Sequence, residues 1–106
     1  MKFAGTWHIY EMDQWEEEYF NMETQAFITL DELGAGEFQF GLVSGQIDGF
    51  LAPSVPNERF EFTWEGSDES DLAAGNGWLA LKDADTIQGV IAFDYGDRST
   101  LLAKRV

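Results

Sequence analysis

The sequence predicts an all-β fold: a small antiparallel up-and-down barrel of about eight strands, with one short helix after the first strand. Three observations carry this expectation. Arg59-Phe60-Glu61-Phe62-Thr63-Trp64-Glu65 alternates polar and apolar residues without a fault, and Glu37-Phe38-Gln39-Phe40-Gly41-Leu42 nearly does. Successive strand side chains point to opposite faces, so each segment has one apolar face and one wet face. Second, 11 glycines punctuate the chain at short intervals and Pro occurs only at Pro53 and Pro56. That pattern suits many short strands joined by turns at about 8–12-residue spacing. Third, no apolar run approaches the roughly 20 residues of a spanning helix. A length of 106 residues allows one domain, residues 1–106. Closing the sheet removes exposed edges and favours a barrel, with a sandwich as the alternative.

The elements follow in order. Thr6 to Met12 is rich in aromatic and β-branched residues and reads as the first strand. Asp13 to Phe20 carries the helical signal: Asp13 as N-cap, Glu16 as its capping-box partner, and Trp15 and Tyr19 at i and i+4 on one face. Thr24 to Leu30 is a strand ending at the turn cluster Asp31 to Gly36. Strands follow at Glu37 to Leu42 and at Gln46 to Ala52, the latter stopped by Pro53 and Pro56, and then at Arg59 to Glu65. Gly75-Asn76-Gly77 reads as a hairpin connection, with a short strand after it at Trp78 to Leu81. Thr86 to Asp94 and Ser99 to Val106 flank a hairpin turn at Tyr95 to Arg98. The predicted interior is Trp7, Ile9, Phe27, Phe38, Phe40, Leu42, Phe60, Phe62, Trp64, Ile87, Ile91, Phe93 and Leu101.

Charge narrows the partners. The net charge is −14, and from Phe3 to Glu58 the chain holds 11 acidic residues with no Lys or Arg. Such a surface suits neither nucleic acid nor an anionic membrane, since both need clustered basic side chains. Solubility is the ordinary use of like charge, and a basic partner or a divalent cation is the functional one. The absence of cysteine removes disulfides, thiol nucleophiles and thiolate metal sites. The N-terminus lacks the apolar core of a signal peptide, so a cytoplasmic setting is expected.

Gly5-Thr6-Trp7 opens the first strand, a short helix and successive hairpins follow, and the last strand carries Arg105. This arrangement resembles the calycin superfamily of lipocalins, fatty-acid-binding proteins and avidins. The resemblance implies that Trp7 sits at the closed end of the barrel and that Arg105 packs over its ring, a sound pairing of guanidinium and indole. Phe3 to Trp7 with Asp13-Gln14-Trp15 looks most like a fatty-acid-binding start. No basic residue lies between Lys2 and Arg59 to anchor an acid ligand. The segment Phe60 to Glu69 also looks like one found in small uncharacterised bacterial proteins, which implies no function.

Chemical constellations are sparse. His8 is the one histidine and falls on the wet face beside Tyr10, so a zinc site of nitrogen and sulfur ligands has no ligand set. No nucleophile elbow is present; Val43-Ser44-Gly45 lacks its first Gly. Glu65 to Asp71 reads as an acidic loop without the EF-hand spacing, with Glu65 pairing to Arg98 or Lys82. Glu16, Glu17 and Glu18 suit a solvated helix N-terminus. Glu11 shares the inward face of Trp7 and Ile9 unless a bulge turns it out. Gly34-Ala35-Gly36 has no following helix and makes no phosphate loop.

These readings converge on a non-enzymatic, lipocalin-like barrel, monomeric or weakly dimeric, with no cofactor and no metal. Its aromatic interior either packs solid or holds one small apolar or aromatic ligand at the open end, lined by Phe40, Phe62, Trp64 and Phe93. The alternative is an acidic protein–protein interaction module for a basic protein partner, whose binding weakens with salt. A carboxylate-only acid–base site from Glu11, Asp48 and Glu65 stands third.

Overall fold

Eight strands form in chain order and close on themselves. They are β1 (Gly5–Met12), β2 (Phe27–Leu30), β3 (Ala35–Phe40), β4 (Val43–Ala52), β5 (Arg59–Asp68), β6 (Asp71–Asp83), β7 (Thr86–Phe93) and β8 (Arg98–Arg105), with the single-turn helix α1 (Glu17–Phe20) after β1. Each strand pairs antiparallel with the next, and β1 pairs with β8 to shut the barrel. The structure is a computed structural model and describes residues 1–53 and 58–106. The predicted stop at Pro56 lies outside the described residues, while Pro53 directly follows β4.

The register shows which faces turn inward. Phe60, Phe62 and Trp64 of β5 stand opposite Leu79, Gly77 and Gly75 of β6. Trp7 stands opposite Ile28 and Arg105. Ten of the predicted interior residues are buried: Trp7, Ile9, Phe38, Phe40, Phe60, Phe62, Trp64, Ile87, Ile91 and Leu101. Phe27 is not one of them. It pairs with His8 on the outer face, and Ala26, Ile28 and Leu30 fill the core instead. The opposite phase is polar at Gln25 and Thr29, so one large aromatic had obscured the alternation. Leu42 is half-buried in the β3–β4 turn, and Phe93 is half-buried at a barrel end.

The sheet decides between the two orientations open for Glu11 and corrects other expectations. A register shift between Ile9 and Glu11 turns Glu11 outward and puts Met12 into the core. Most of the predicted acidic loop Glu65 to Asp71 is strand, with Asp68 paired to Asp71 around a tight turn at Glu69 and Ser70. Glu65 takes part in none of the ion pairs among the described residues. Gly75-Asn76-Gly77 lies inside β6 and pairs on both sides. The helix is shorter than predicted and begins after Glu16.

Asp13 therefore does not cap α1. Its carboxylate reaches across to β8, accepting hydrogen bonds from the Thr100 N–H and the Ser99 hydroxyl, both at 2.9 Å. Ser99, fully buried, also accepts from the Gln14 N–H at 3.3 Å. These bonds, the Thr100 N–H first and the Ser99 hydroxyl next, hold the Asp13 carboxyl below its ordinary value of 3.8. A carboxyl depressed by folding stabilises the fold above its unfolded pKa, and the benefit disappears as pH falls through the folded value. The stability gap between the wild type and Asp13→Asn should therefore be full near neutrality and close in acid. Urea titrations of both proteins across that range check this, and a gap independent of pH would refute it.

Candidate functional site at the barrel mouth

The two ends of the barrel differ in chemistry. At the floor, the Arg105 guanidinium lies 4.1 Å over the Trp7 ring. It donates to the carbonyls of Ala4 at 3.0 Å, Lys2 at 2.9 Å and Ala84 at 3.4 Å, and sits 3.8 Å from the Asp85 carboxylate. Trp7 Nε1 donates to the Phe3 carbonyl at 2.9 Å, and Phe3 packs on Phe60 with ring centroids 5.9 Å apart. Residues 2–4 are thus tied across this end.

Aromatic rings fill the interior above the floor. Phe60 stacks on Phe62 at 6.0 Å and Phe38 on Phe40 at 5.8 Å, while Trp64 meets Phe38 and Phe93 edge-on at 5.1 Å each. Phe40, Phe62 and Trp64 are 0%, 4% and 2% exposed. The structure brings Phe40, Trp64 and Phe93 together as one packed cluster and leaves Phe62 one layer below, against Phe60. Neither Phe40 nor Trp64 faces a groove; each ring is spent on its neighbours.

The segment after β1 crosses the other end. Trp15 packs 5.0 Å from Phe40, 6.1 Å from Phe93 and 6.1 Å from Tyr19. Tyr19 lies against Gly41, where a Cβ would collide with its ring, and Gly41 has a φ of +57°. Both features favour glycine there. The Gly41 N–H donates to the Phe20 carbonyl at 2.9 Å, which fastens α1 to the β3–β4 turn.

Between this cover and the rim lies an open groove of ≈ 680 Å³. Trp15, Tyr19 and Phe93 supply its aromatic surface. The β5–β6 hairpin contributes Asp68, Asp71, Leu72 and Ala73, and the β7–β8 turn contributes Asp94, Tyr95 and Asp97. Leu72 and Tyr95 are almost wholly exposed, so two large apolar side chains stand in water beside it. Tyr95, on one wall, and Glu69, in the β5–β6 turn beside the other, both hold positive φ, at 61° and 56°. Such backbone in a residue other than Gly is strained and must be held by its surroundings. Of the four predicted lining residues, only Phe93 touches this groove.

A second groove of ≈ 590 Å³ runs along the outer wall, where Phe62 is reached beside Phe50 and Trp78. Trp78 of this groove also carries the Arg59 guanidinium over its ring at 3.9 Å, and Val90, although outward-facing, is only 4% exposed.

The remaining candidates are scattered. His8 is exposed on the outer face, and Glu11, Asp48 and Glu65 lie exposed on β1, β4 and β5 with no hydrogen bond joining them. Among the described residues no group of three or more His, Asp or Glu is placed to hold a metal ion, and no helix is long and apolar enough to cross a membrane. Sequence reasoning missed Tyr95, Leu72 and the role of Trp15. An aromatic pair directly after a strand that must leave the barrel end was the available signal for Trp15 and Tyr19; Leu72 and Tyr95 had none. Compared with known proteins, the chain matches no family model, no curated protein and no solved structure.

Proposed function

We propose that the chain is a small non-enzymatic binding barrel of calycin-like architecture, acting in the cytoplasm, whose ligand is a small molecule with an apolar or aromatic body held in the mouth groove. The observation that supports this is the groove itself: three aromatic rings at its base and two exposed apolar side chains on its walls. A volume of ≈ 680 Å³ suits a small ligand, since such sites span roughly 300–1,000 Å³. The floor, where Trp7 and Arg105 are consumed by structural contacts, offers no comparable surface.

The neutral fluorophore N-phenyl-1-naphthylamine tests the reading. Saturable binding is expected, with energy transfer from tryptophan. Phe93→Ala should weaken it about tenfold, the loss of about 1.4 kcal/mol of contact. Phe50→Ala on the outer wall should leave it unchanged. Binding that is absent, or that Phe50→Ala abolishes instead, would move the site or remove it.

A second reading, an acidic module for a basic protein partner, is favoured by one observation. Among the described residues, only Glu32 and Glu58 of the acids between Phe3 and Glu58 form ion pairs. That leaves a largely unneutralised surface, on which binding would be screened by salt.

A further inference from the structure

Resting on the mouth-groove reading, we infer that the groove selects organic cations: small amines or quaternary ammonium ions carrying an aromatic or alkyl body. Five acidic residues line it, Glu65, Asp68, Asp71, Asp94 and Asp97, and no Lys, Arg or His does. None of the five forms an ion pair among the described residues. Four of the six basic side chains are engaged elsewhere, while Arg98 borders the second groove on the outer wall and Lys82 lies near Lys2 and Phe3. Arg105 and Lys2 lie at the floor, Arg59 lies on Trp78 and Lys104 lies on Tyr10.

The same groove presents the rings of Trp15, Tyr19 and Tyr95. A ring face attracts a cation through its quadrupole, most strongly for indole, and the apolar body of the ligand can lie on the same rings. The two features reinforce each other for one kind of ligand only. An anion would meet five like charges, and a neutral apolar molecule would use the rings and gain nothing from the carboxylates.

A metal ion fits less well. Hard cations need several oxygen ligands drawn close around them. Here the carboxylates come from two hairpins on opposite walls and do not gather into a group of three or more. They act as a field around the groove rather than as a coordination shell, and the aromatic base adds nothing to a hydrated metal. Field and ring faces together describe a soft, weakly hydrated organic cation.

Four probes that share one body test this by calorimetry on the intact chain at low ionic strength: 2-naphthylmethylamine, its trimethylammonium analogue, 2-naphthalenemethanol and 2-naphthoate. Both cations are expected to bind at least tenfold more tightly than the alcohol, with naphthoate weakest. Raising salt should shrink the preference, because charges in the open are screened within about 10 Å at 0.1 M. The exposed pair Asp71→Asn/Asp94→Asn removes two of the five acidic charges and should shrink the preference severalfold with the melting temperature unchanged, and an unchanged preference would overturn the inference. Equal affinity for amine and alcohol would leave the mouth groove standing and overturn its selectivity. No binding by any probe would overturn both readings. Binding of an oligolysine peptide alone would also overturn this inference, since the occupant would then be a basic protein.

Discussion

Trp7→Ala is expected to cost about 3–5 kcal/mol of folding stability, the usual loss for truncating a buried indole. A small domain holds only about 5–15 kcal/mol in total, so the variant should be marginal at ambient temperature. Three losses coincide. The core loses a side chain that is wholly shielded from water, the Phe3 carbonyl loses its donor at 2.9 Å, and the Arg105 guanidinium loses the ring 4.1 Å beneath it. Arg105→Lys separates the last of these. Lysine keeps the charge but not the planar fork that serves the Ala4 and Lys2 carbonyls together, and the expected cost is about 1–3 kcal/mol. Urea unfolding followed by circular dichroism reads both variants. Arg105→Lys as stable as the wild type would show that the guanidinium stack contributes nothing. In folded Arg105→Lys, ligand affinity at the mouth should be unchanged, because the Phe60–Phe62 and Phe38–Trp64 layers separate the two ends.

The floor and the wall were legible in the sequence for different reasons. Phe60, Phe62 and Trp64 announce themselves because period-two alternation is a local property, and every second residue of β5 obeys it. Trp7 and Arg105 lie far apart in sequence and the resemblance to a known architecture pairs them; the geometry joins them as facing positions of β1 and β8, with the guanidinium stacked over the indole. Local pattern failed where the backbone departs from a regular strand. The shift between Ile9 and Glu11 reverses which residues face inward, and the only local sign of it is a carboxylate at an inward position, which leaves both orientations open. In sequence Asp13 looks like a helix cap, because the nearest free N–H groups are those of the helix. Its true partners, Ser99 and Thr100, stand on the strand that closes the barrel.

The mouth groove was the least legible feature. Its aromatic base comes from the segment after β1 and from the end of β7, and its walls are two turns at 68–71 and 94–97. Nothing in either turn signals that the other lies nearby. Closure of the barrel sets that distance, so the groove becomes visible only after β5, β6 and β7 are placed in register. Alternation alone implies that inward aromatics such as Phe40, Phe62, Trp64 and Phe93 border a cavity. Phe40 and Trp64 pack into the core instead, and the open space lies at the rim, where Phe93 borders it.

Gly75→Ala should destabilise by about 3 kcal/mol, near the top of the usual range for overfilling a packed interior. Glycine in Gly75-Asn76-Gly77 looks like turn chemistry, yet the segment sits inside β6 with partners on both sides. Its purpose is room. Trp64 stands directly opposite Gly75, and its indole passes over that residue so that Nε1 can donate to the Ala92 carbonyl at 3.1 Å. A Cβ at Gly75 would overlap the same carbonyl oxygen and lie 2.9 Å from Trp64 Nε1. Backbone cannot move aside as a flexible side chain can, so either the β6–β7 pairing opens or the indole leaves its slot. Leaving costs the hydrogen bond, about 1 kcal/mol, and disturbs the contacts with Phe38 and Phe93. Asn76→Ala is the control. Its side chain is exposed on the outer face, and its removal should change stability by no more than about 0.5 kcal/mol. Thermal melts should therefore show a large loss for Gly75→Ala with an altered near-ultraviolet tryptophan signal, and almost none for Asn76→Ala. A turn at this place would reverse the order, because an Asn between two glycines contributes to a turn through its side chain and backbone preference. The ranking of the two variants thus decides whether these glycines shape the core or merely bend the chain.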